Sequence, residues 1–259
     1  LTQLGLLPLT TSEEDGAVAY LFFPSREYGA ATSQPLAVLA SRWLDAVLGD
    51  AEATAPRVWL TPADVEAGRS IATAFRGSSD RPVVAINFGV GANPAKSVGT
   101  WFEAAIVATL LSDGAKIILD RGAGEDEAKR ADALISFARD TGVRVAEVDE
   151  ASLESLQQGS ASSLPADGDL LVWTGRLGFL AALIAESDLY IGYDSAGQHI
   201  AAALGVPCID VMGGYGSDRI VDRWRPTGPA ETRVILVSGS VLEETIHHSR
   251  AMLAKRADR

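Results

Sequence analysis

Cysteine is nearly absent: Cys208 stands alone among 259 residues. That excludes an internal disulfide and a cysteine-based metal cluster, and it suits a reducing compartment. Apolar runs approaching the roughly 20 residues of a membrane span are missing. So is a basic segment followed by an apolar one at the amino terminus, and a soluble chain is expected. Basic residues are few, 22 against 34 acidic ones, which leaves a net charge of −12 and a pI near 4.7. Such a balance argues against a nucleic-acid backbone or an anionic membrane surface as the main partner, so any positive charge that matters must be local. What is present is 47% hydrophobic and 22% charged residues, enough for a real core in two modest domains or one large one. The first residue is Leu1 rather than Met, which points to a segment of a longer polypeptide.

From about residue 80, short β-branched runs alternate with helical patterns, as in a parallel sheet built of βαβ units. Strands are expected at Val83–Phe88, Lys116–Leu119, Val143–Val148, Leu170–Trp173, Leu189–Ile191 and Pro207–Met212. Helices are expected near Trp101–Ser112, Glu125–Asp140, Leu177–Glu186, Gly197–Leu204 and beyond Val241. Fully apolar strands followed by amphipathic helices imply a doubly wound sheet covered on both faces. Residues 1–79 read as the tail of a preceding domain plus a connection: one strand (Ala17–Phe23), one amphipathic helix (Leu36–Leu48) and a helix opened by Thr61-Pro62. The polar turn Gly77–Asp80 marks the expected boundary with a second domain, 80–259, and Ala151–Asp169 reads as a Ser, Gly and Gln-rich loop.

In an open parallel sheet, ligands bind at the carboxyl ends of the strands, and three such ends are unusual. The first is Gly89-Val90-Gly91-Ala92-Asn93-Pro94-Ala95-Lys96, where Gly89 and Gly91 permit close backbone approach and Lys96 offers a cation to a phosphate. It is neither a Walker loop, which needs glycine at Val90 and Ala95, nor a dinucleotide fingerprint, which fails at Pro94. An ordinary loop with a solvated lysine is the plain alternative. The second end places Glu125 and Glu127 in a first helical turn, either as dipole-favoured acids or as acceptors for a ribose or base edge. The third, Tyr193-Asp194-Ser195-Ala196-Gly197-Gln198-His199, aims backbone N–H groups, a serine hydroxyl and His199 at one point, a ready anion site. Read plainly, Asp194 or Ser195 is an N-cap and His199 a packed polar residue. A nucleophile elbow is disfavoured because Tyr193 stands where Gly-x-Ser-x-Gly needs glycine.

The stretch Gly175–Gly213 resembles the C-terminal half of the family 9 glycosyltransferases, the ADP-heptose:lipopolysaccharide heptosyltransferases and their relatives. The shared pattern is an alanine and leucine-rich helix, a strand, Asp-(Ser/Thr)-(Gly/Ala)-x-x-His, a second such helix, Gly-x-Pro and an apolar strand ending near glycine. The strand ending in Asn-x-Gly with a lysine after it, the Gly-rich turn with acids, and Tyr215–Pro229 extend the likeness over roughly residues 55 to 240.

The resemblance implies a GT-B architecture of two Rossmann-like domains, an inverting mechanism, and a nucleotide-sugar donor held mainly by the second domain. Lys96 would hold the diphosphate and Glu127 the nucleoside, with Glu125 a competitor in register. Asp194, Ser195, Ala196 and Gly197 would line the sugar and diphosphate site, and His199 would lie near the phosphates. Lys96 and His199 would stabilise the leaving group, and no cofactor or obligatory metal is expected. Asp167-Gly168-Asp169 spells a metal-binding motif but precedes a strand, and reads as a turn. The family's general base is an aspartate near the start of a first domain that this chain is expected to lack, so the chain would bind donor without turnover. Partners would be the nucleotide-sugar, a glycolipid or saccharide acceptor of lipopolysaccharide-core type, and the missing domain, in a cytoplasmic setting at most peripheral to the inner membrane. Two departures stand out: Ser97-Val98-Gly99 where an aromatic or a tryptophan-proline pair usually follows the lysine, and Phe179 where glutamate is common. The alternatives are a non-catalytic nucleotide-sugar-binding module and another GT-B enzyme such as a UDP-sugar 2-epimerase.

Overall fold

Five-residue runs of β-branched and aromatic residues supply the strands of a computed structural model that describes residues 6–10, 17–21, 33–49, 55–91, 93–157 and 168–256. The chain divides into two compact units, one of residues 1–56 and 217–225, the other of 57–216 and 226–259. In the first, β1 (Leu6–Thr10) pairs antiparallel with β2 (Ala17–Leu21), Leu6 opposite Leu21. Helix α1 (Leu36–Leu48) buries Leu39 and Trp43, one turn apart on one face. A short helix near the end of the chain, Asp218–Trp224, also belongs to this unit.

The second unit opens with α2 (Pro62–Arg76), whose first turn is capped by Thr61 accepting from the Asp64 amide at 3.1 Å. Seven parallel strands follow: β3 (Val83–Asn87), β4 (Lys116–Asp120), β5 (Val145–Asp149), β6 (Leu170–Thr174), β7 (Leu189–Tyr193), β8 (Cys208–Met212) and β9 (Thr232–Leu236). They lie in the order β5-β6-β4-β3-β7-β8-β9. Helices α3 (Thr100–Ser112), α4 (Glu125–Asp140), α5 (Glu150–Gln157), α6 (Leu177–Ala185) and α7 (Ala196–Leu204) connect them; α8 is Asp218–Trp224, and α9 (Val241–Ala254) closes the chain.

Side chains alternate between the two faces of the sheet, and each face has its own core. Val84, Ile86, Ile117 and Leu119 pack with α3, α4 and α9; Val83, Ala85, Ile118 and Tyr190 pack with α2, α5, α6 and α7. The expected doubly wound, Rossmann-like α/β sheet is therefore present. Within this sheet the chain starts at the central β3, passes to β4 beside it and on to the edge strand β5, returns to β6 between those two, then crosses to β7 on the other side of β3. The carboxyl ends of β3 and β7 thus form the crevice where strand order reverses. Among the described residues, no helix is long and apolar enough to cross a membrane.

The structural division falls at residues 56/57 rather than at the turn 77–80, because α2 belongs to the sheet. Gly68 lets it approach α6 until an added Cβ would stand 2.9 Å from that of Ala182. Arg76 donates to Asp188 at 2.9 Å and to the Glu186 carbonyl at 2.7 Å, and the Lys116 ammonium donates to the Phe75 carbonyl. Residues 150–157 are helical rather than loop, since the Asp149 carboxylate accepts from the Ser152 amide at 2.8 Å and hydroxyl at 2.6 Å. Asp167 lies outside the described residues, as do Phe22 and Phe23 of the first expected strand. Asp169 sits before β6, at the end of the sheet opposite the crevice, where Arg81 and Arg144 hold its carboxylate at 2.6 and 3.0 Å.

Candidate functional site

Asn87, the last residue of β3, turns the chain: its side-chain oxygen accepts from the Gly89 amide at 2.8 Å while its amide donates to Asp120 at the end of β4. The loop that follows is held from outside by Glu127. One carboxylate oxygen accepts from the Val90 and Gly91 amides at 2.9 and 3.1 Å, and the other accepts from Ala123 at 3.3 Å. Gly89 and Gly122 leave room for that carboxylate, since a Cβ on either would lie 3.2 Å and 2.7 Å from its oxygens. Glu127 therefore clamps this loop to the turn after β4. Glu125 points away, 94% exposed, with its nearest cation, Lys129, 4.0 Å off. Beside Glu127 a shallow, solvent-open hollow is lined by Phe88, Gly89, Asp120, Arg121, Gly122 and Arg130.

Past Gly91, Asn93 accepts from the Ala95 amide at 3.2 Å and caps a 3₁₀ turn, Pro94–Lys96. That turn rests on the end of β8. A Cβ at Gly214 would stand 2.6 Å from the Ala95 carbonyl oxygen, and Gly214 has φ +62°, so only glycine is comfortable there. The turn delivers Lys96 to the end of β7, where its ammonium meets the Asp194 carboxylate at 2.7 Å and donates to the Asp194 carbonyl at 2.9 Å.

Asp194 is itself positioned. Its other carboxylate oxygen accepts from the Gln198 amide at 3.1 Å, and the Gln198 side-chain oxygen accepts from the Ser195 N–H at 2.9 Å. Gln198 is fully buried. It was not anticipated from sequence, although Ser-x-x-Gln at a helix start is a capping-box signature. Ser195 and His199 are half-buried and Ala196 is exposed, so the amino end of α7 opens outward beside Lys96. Burial lowers the His199 pKa, with Asp194 opposing and Lys96 assisting, which favours a neutral imidazole at neutral pH.

A second unanticipated residue is Glu103, buried on α3. It accepts from the Tyr193 hydroxyl at 3.1 Å and the Ser97 hydroxyl at 3.3 Å, with Arg130 3.4 Å away. Burial raises its pKa and Arg130, Tyr193 and Ser97 pull it down. Arg130 also donates to the Phe88 carbonyl at 2.7 Å. This cluster ties the ends of β3 and β7 to α3 and α4, so Tyr193, set aside as a failed elbow glycine, acts as a brace. The geometry therefore gathers Lys96, Asp194, Ser195, Ala196, Gly197 and His199 at one point, sets Glu127 of α4 against the flanking loop that carries Gly89 and Gly91, and leaves Glu125 in solvent. Among the described residues there is no group of three or more His, Cys, Asp or Glu side chains arranged to hold a metal.

Residues 149–245 match the family model described as glycosyltransferase family 9 (heptosyltransferase). No curated protein matches the chain. Among solved structures, it is similar to the family 9 glycosyl transferase from Veillonella parvula DSM 2008: 14% identity, TM-score 0.59, covering 87% of this chain and 62% of that one. It is also similar to the ADP-heptose lps heptosyltransferase II of E. coli: 19% identity, TM-score 0.51, covering 78% of this chain and 54% of that one. The chain thus spans under two thirds of the length of either structure, and at these identities the likeness shows a shared fold. The matched segment runs from the end of β5 into α9 and carries Asp194 to His199, so the resemblance read from Gly175–Gly213 is borne out: in this region the chain is a match to the family 9 glycosyltransferases.

Proposed function

We propose that this chain carries the donor side of an inverting glycosyltransferase whose donor is a nucleoside diphosphate sugar, ADP-heptose in the first instance, and whose acceptor is of lipopolysaccharide-core type. The observation that carries the reading is the Lys96–Asp194 contact of 2.7 Å at the open amino end of α7, in the crevice between β3 and β7. A diphosphate entering there exchanges the carboxylate for itself as the partner of the Lys96 ammonium. Asp194, released but still held by Gln198, is then free to accept from a sugar hydroxyl. As the acceptor oxygen attacks the anomeric carbon, negative charge grows on the leaving diphosphate. Lys96, the N–H groups at the start of α7 and a neutral, donating His199 stabilise that charge without having to reorganise.

Glu127 is assigned to the nucleoside, and Gly89 and Gly91 to the backbone approach of the ligand. The general base is assigned, through the resemblance, to an aspartate of a preceding domain. The reading gives charge neutralisation to Lys96 and the helix end, and asks for no metal. It places the protein in the cytoplasm, at most peripheral to the inner membrane.

Calorimetry of the 259-residue chain with ADP, UDP and ADP-sugars tests the proposal. ADP and its sugar should bind, with the Lys96→Ala variant weakened. A preference for UDP would favour an epimerase-like enzyme, and binding of none would remove the donor site altogether.

A further inference from the structure

A carboxylate in the middle of a fully buried, apolar strand contradicts the local pattern, and such contradictions concentrate where function demands them. Asp210 is that residue. It lies on β8 among Cys208, Ile209, Val211 and Met212, is 0% exposed, and neither carboxylate oxygen has a hydrogen-bond partner. Its backbone partner on β7 is Gly192. A Cβ at Gly192 or Gly197 would collide with the Tyr190 hydroxyl, so that phenol fills the space beside Asp210 under the first turn of α7. One step back on the same face, the Cys208 thiol lies 3.8 Å from the Gln198 carbonyl. The charged and titratable groups around Asp210 are therefore Asp194 and Lys96 from the two turns at the crevice, Tyr190 from β7 and Cys208 from its own strand. Its partner on β9, Val234, brings none, and α7 brings Gln198 followed by His199.

Burial pushes the Asp210 carboxyl well above the carboxylate range. The Asp194 charge pushes the same way, and Lys96 alone of the charges acting on it pulls back. The ionised form of Asp210 is therefore least disfavoured while Lys96 stays close. A diphosphate that draws the Lys96 ammonium onto itself weakens that support and adds negative charge of its own. We propose that Asp210 is a positioning residue of the anion site, acting through Asp194 and Lys96, and that it couples the capture of a diphosphate to the uptake of one proton from solvent. The proposal rests on the reading of that site as a diphosphate site. The proton goes onto a carboxylate oxygen of Asp210 and leaves again with the ligand. Uptake is confined to the pH window between the titration of Asp210 in the free and in the bound protein.

Isothermal titration calorimetry of the chain with ADP, from pH 5 to 9 in paired buffers of high and low ionisation enthalpy, tests this against the isosteric Asp210→Asn variant. Both proteins see the same titration of the nucleotide, so their difference isolates Asp210. The wild type is expected to take up an additional fraction of a proton over a pH window and to lose affinity on its alkaline side, and D210N to show neither. Asp210→Ser repeats the comparison should the asparagine amide disturb packing. Equal proton uptake by wild type and variant at every pH would overturn the proposal and leave the diphosphate site standing. ADP failing to bind the wild type at any pH would overturn the diphosphate reading, and the proposal with it.

Discussion

Lys96 carries a half-buried ammonium whose contacts among the described residues, both to Asp194, are ones that an anionic ligand can replace. Removing one preorganised donor to an oxyanion typically costs about 2.7–4 kcal/mol, so on the proposed reading Lys96→Ala, made in a protein that also carries the preceding domain, is expected to slow sugar transfer about 10²-fold or more. An unchanged rate in a steady-state assay would take Lys96 out of the mechanism. Gln198 has the opposite character: its amide is fully buried and completes a bridge from the Ser195 N–H to the Asp194 carboxylate. Gln198→Leu keeps the volume but strands a donor and an acceptor, each costing about 1–3 kcal/mol. Urea unfolding should show a loss of at least about 2 kcal/mol, well beyond what a solvated helix position gives.

Among elements, α2 illustrates how close packing rather than composition assigns a segment to a domain. Gly68→Ala gains about 1 kcal/mol of helix propensity, yet its methyl would stand 2.9 Å from the Ala182 Cβ and 3.2 Å from that residue's backbone. Overpacking of this kind costs about 1–3 kcal/mol, so a net destabilisation of about 1 kcal/mol is expected. Gly178→Ala, at the start of α6 with open space around its Cα, is the control and should stabilise by about 0.5 kcal/mol. Equal unfolding midpoints for the two variants would refute the close approach of α2 to α6. Two elements that sequence reasoning missed, β9 and α5, lack the long apolar period of the central ones. Strand β9 lies at the sheet's edge and buries only Ile235 fully, so its apolar run, Val234–Val237, is short and flanked by polar residues, and α5 is a polar eight-residue helix whose start depends on one Asp149 cap. The central strands, covered on both faces, were legible because burial on both sides demands uninterrupted apolar sequence.

For the whole molecule, the two ends of the sheet do different work. At the amino ends, ion pairs lock the approaches to the strands: Asp188 holds Arg76 and Arg256 at 2.9 and 2.8 Å, and Asp169 holds Arg81 and Arg144. At the carboxyl ends the polar groups serve the crevice instead. Burial pushes the Asp169 carboxyl up, but Arg144 and Arg81 outweigh it and leave it at about 2. Because this folded value lies below the ordinary 3.8, the stability it confers is present above pH 4 and is lost as pH falls through about 2. Urea midpoints measured at pH 5, 3 and 2 should fall less steeply for Asp169→Asn than for wild type; parallel curves would show that these pairs contribute nothing.

Apart from α5, the order of strands and helices from β3 to α7 was determined by the sequence alone, since apolar period and helix-start chemistry are local properties. So was the start of a helix just after Asp194, with Ser195 at its cap and Gln198 and His199 in its first turn. Tertiary structure decided which groups meet there. Lys96 and Asp194 are 98 residues apart and come together because β7 crosses back to lie beside β3, a topological choice that no local pattern encodes. Glu127 is turned toward the Gly89–Gly91 loop, Glu125 is left in solvent, and Asp210 is sealed beneath α7 by the register of neighbouring strands, because the direction a side chain takes on a parallel sheet depends on which strand is paired at which residue.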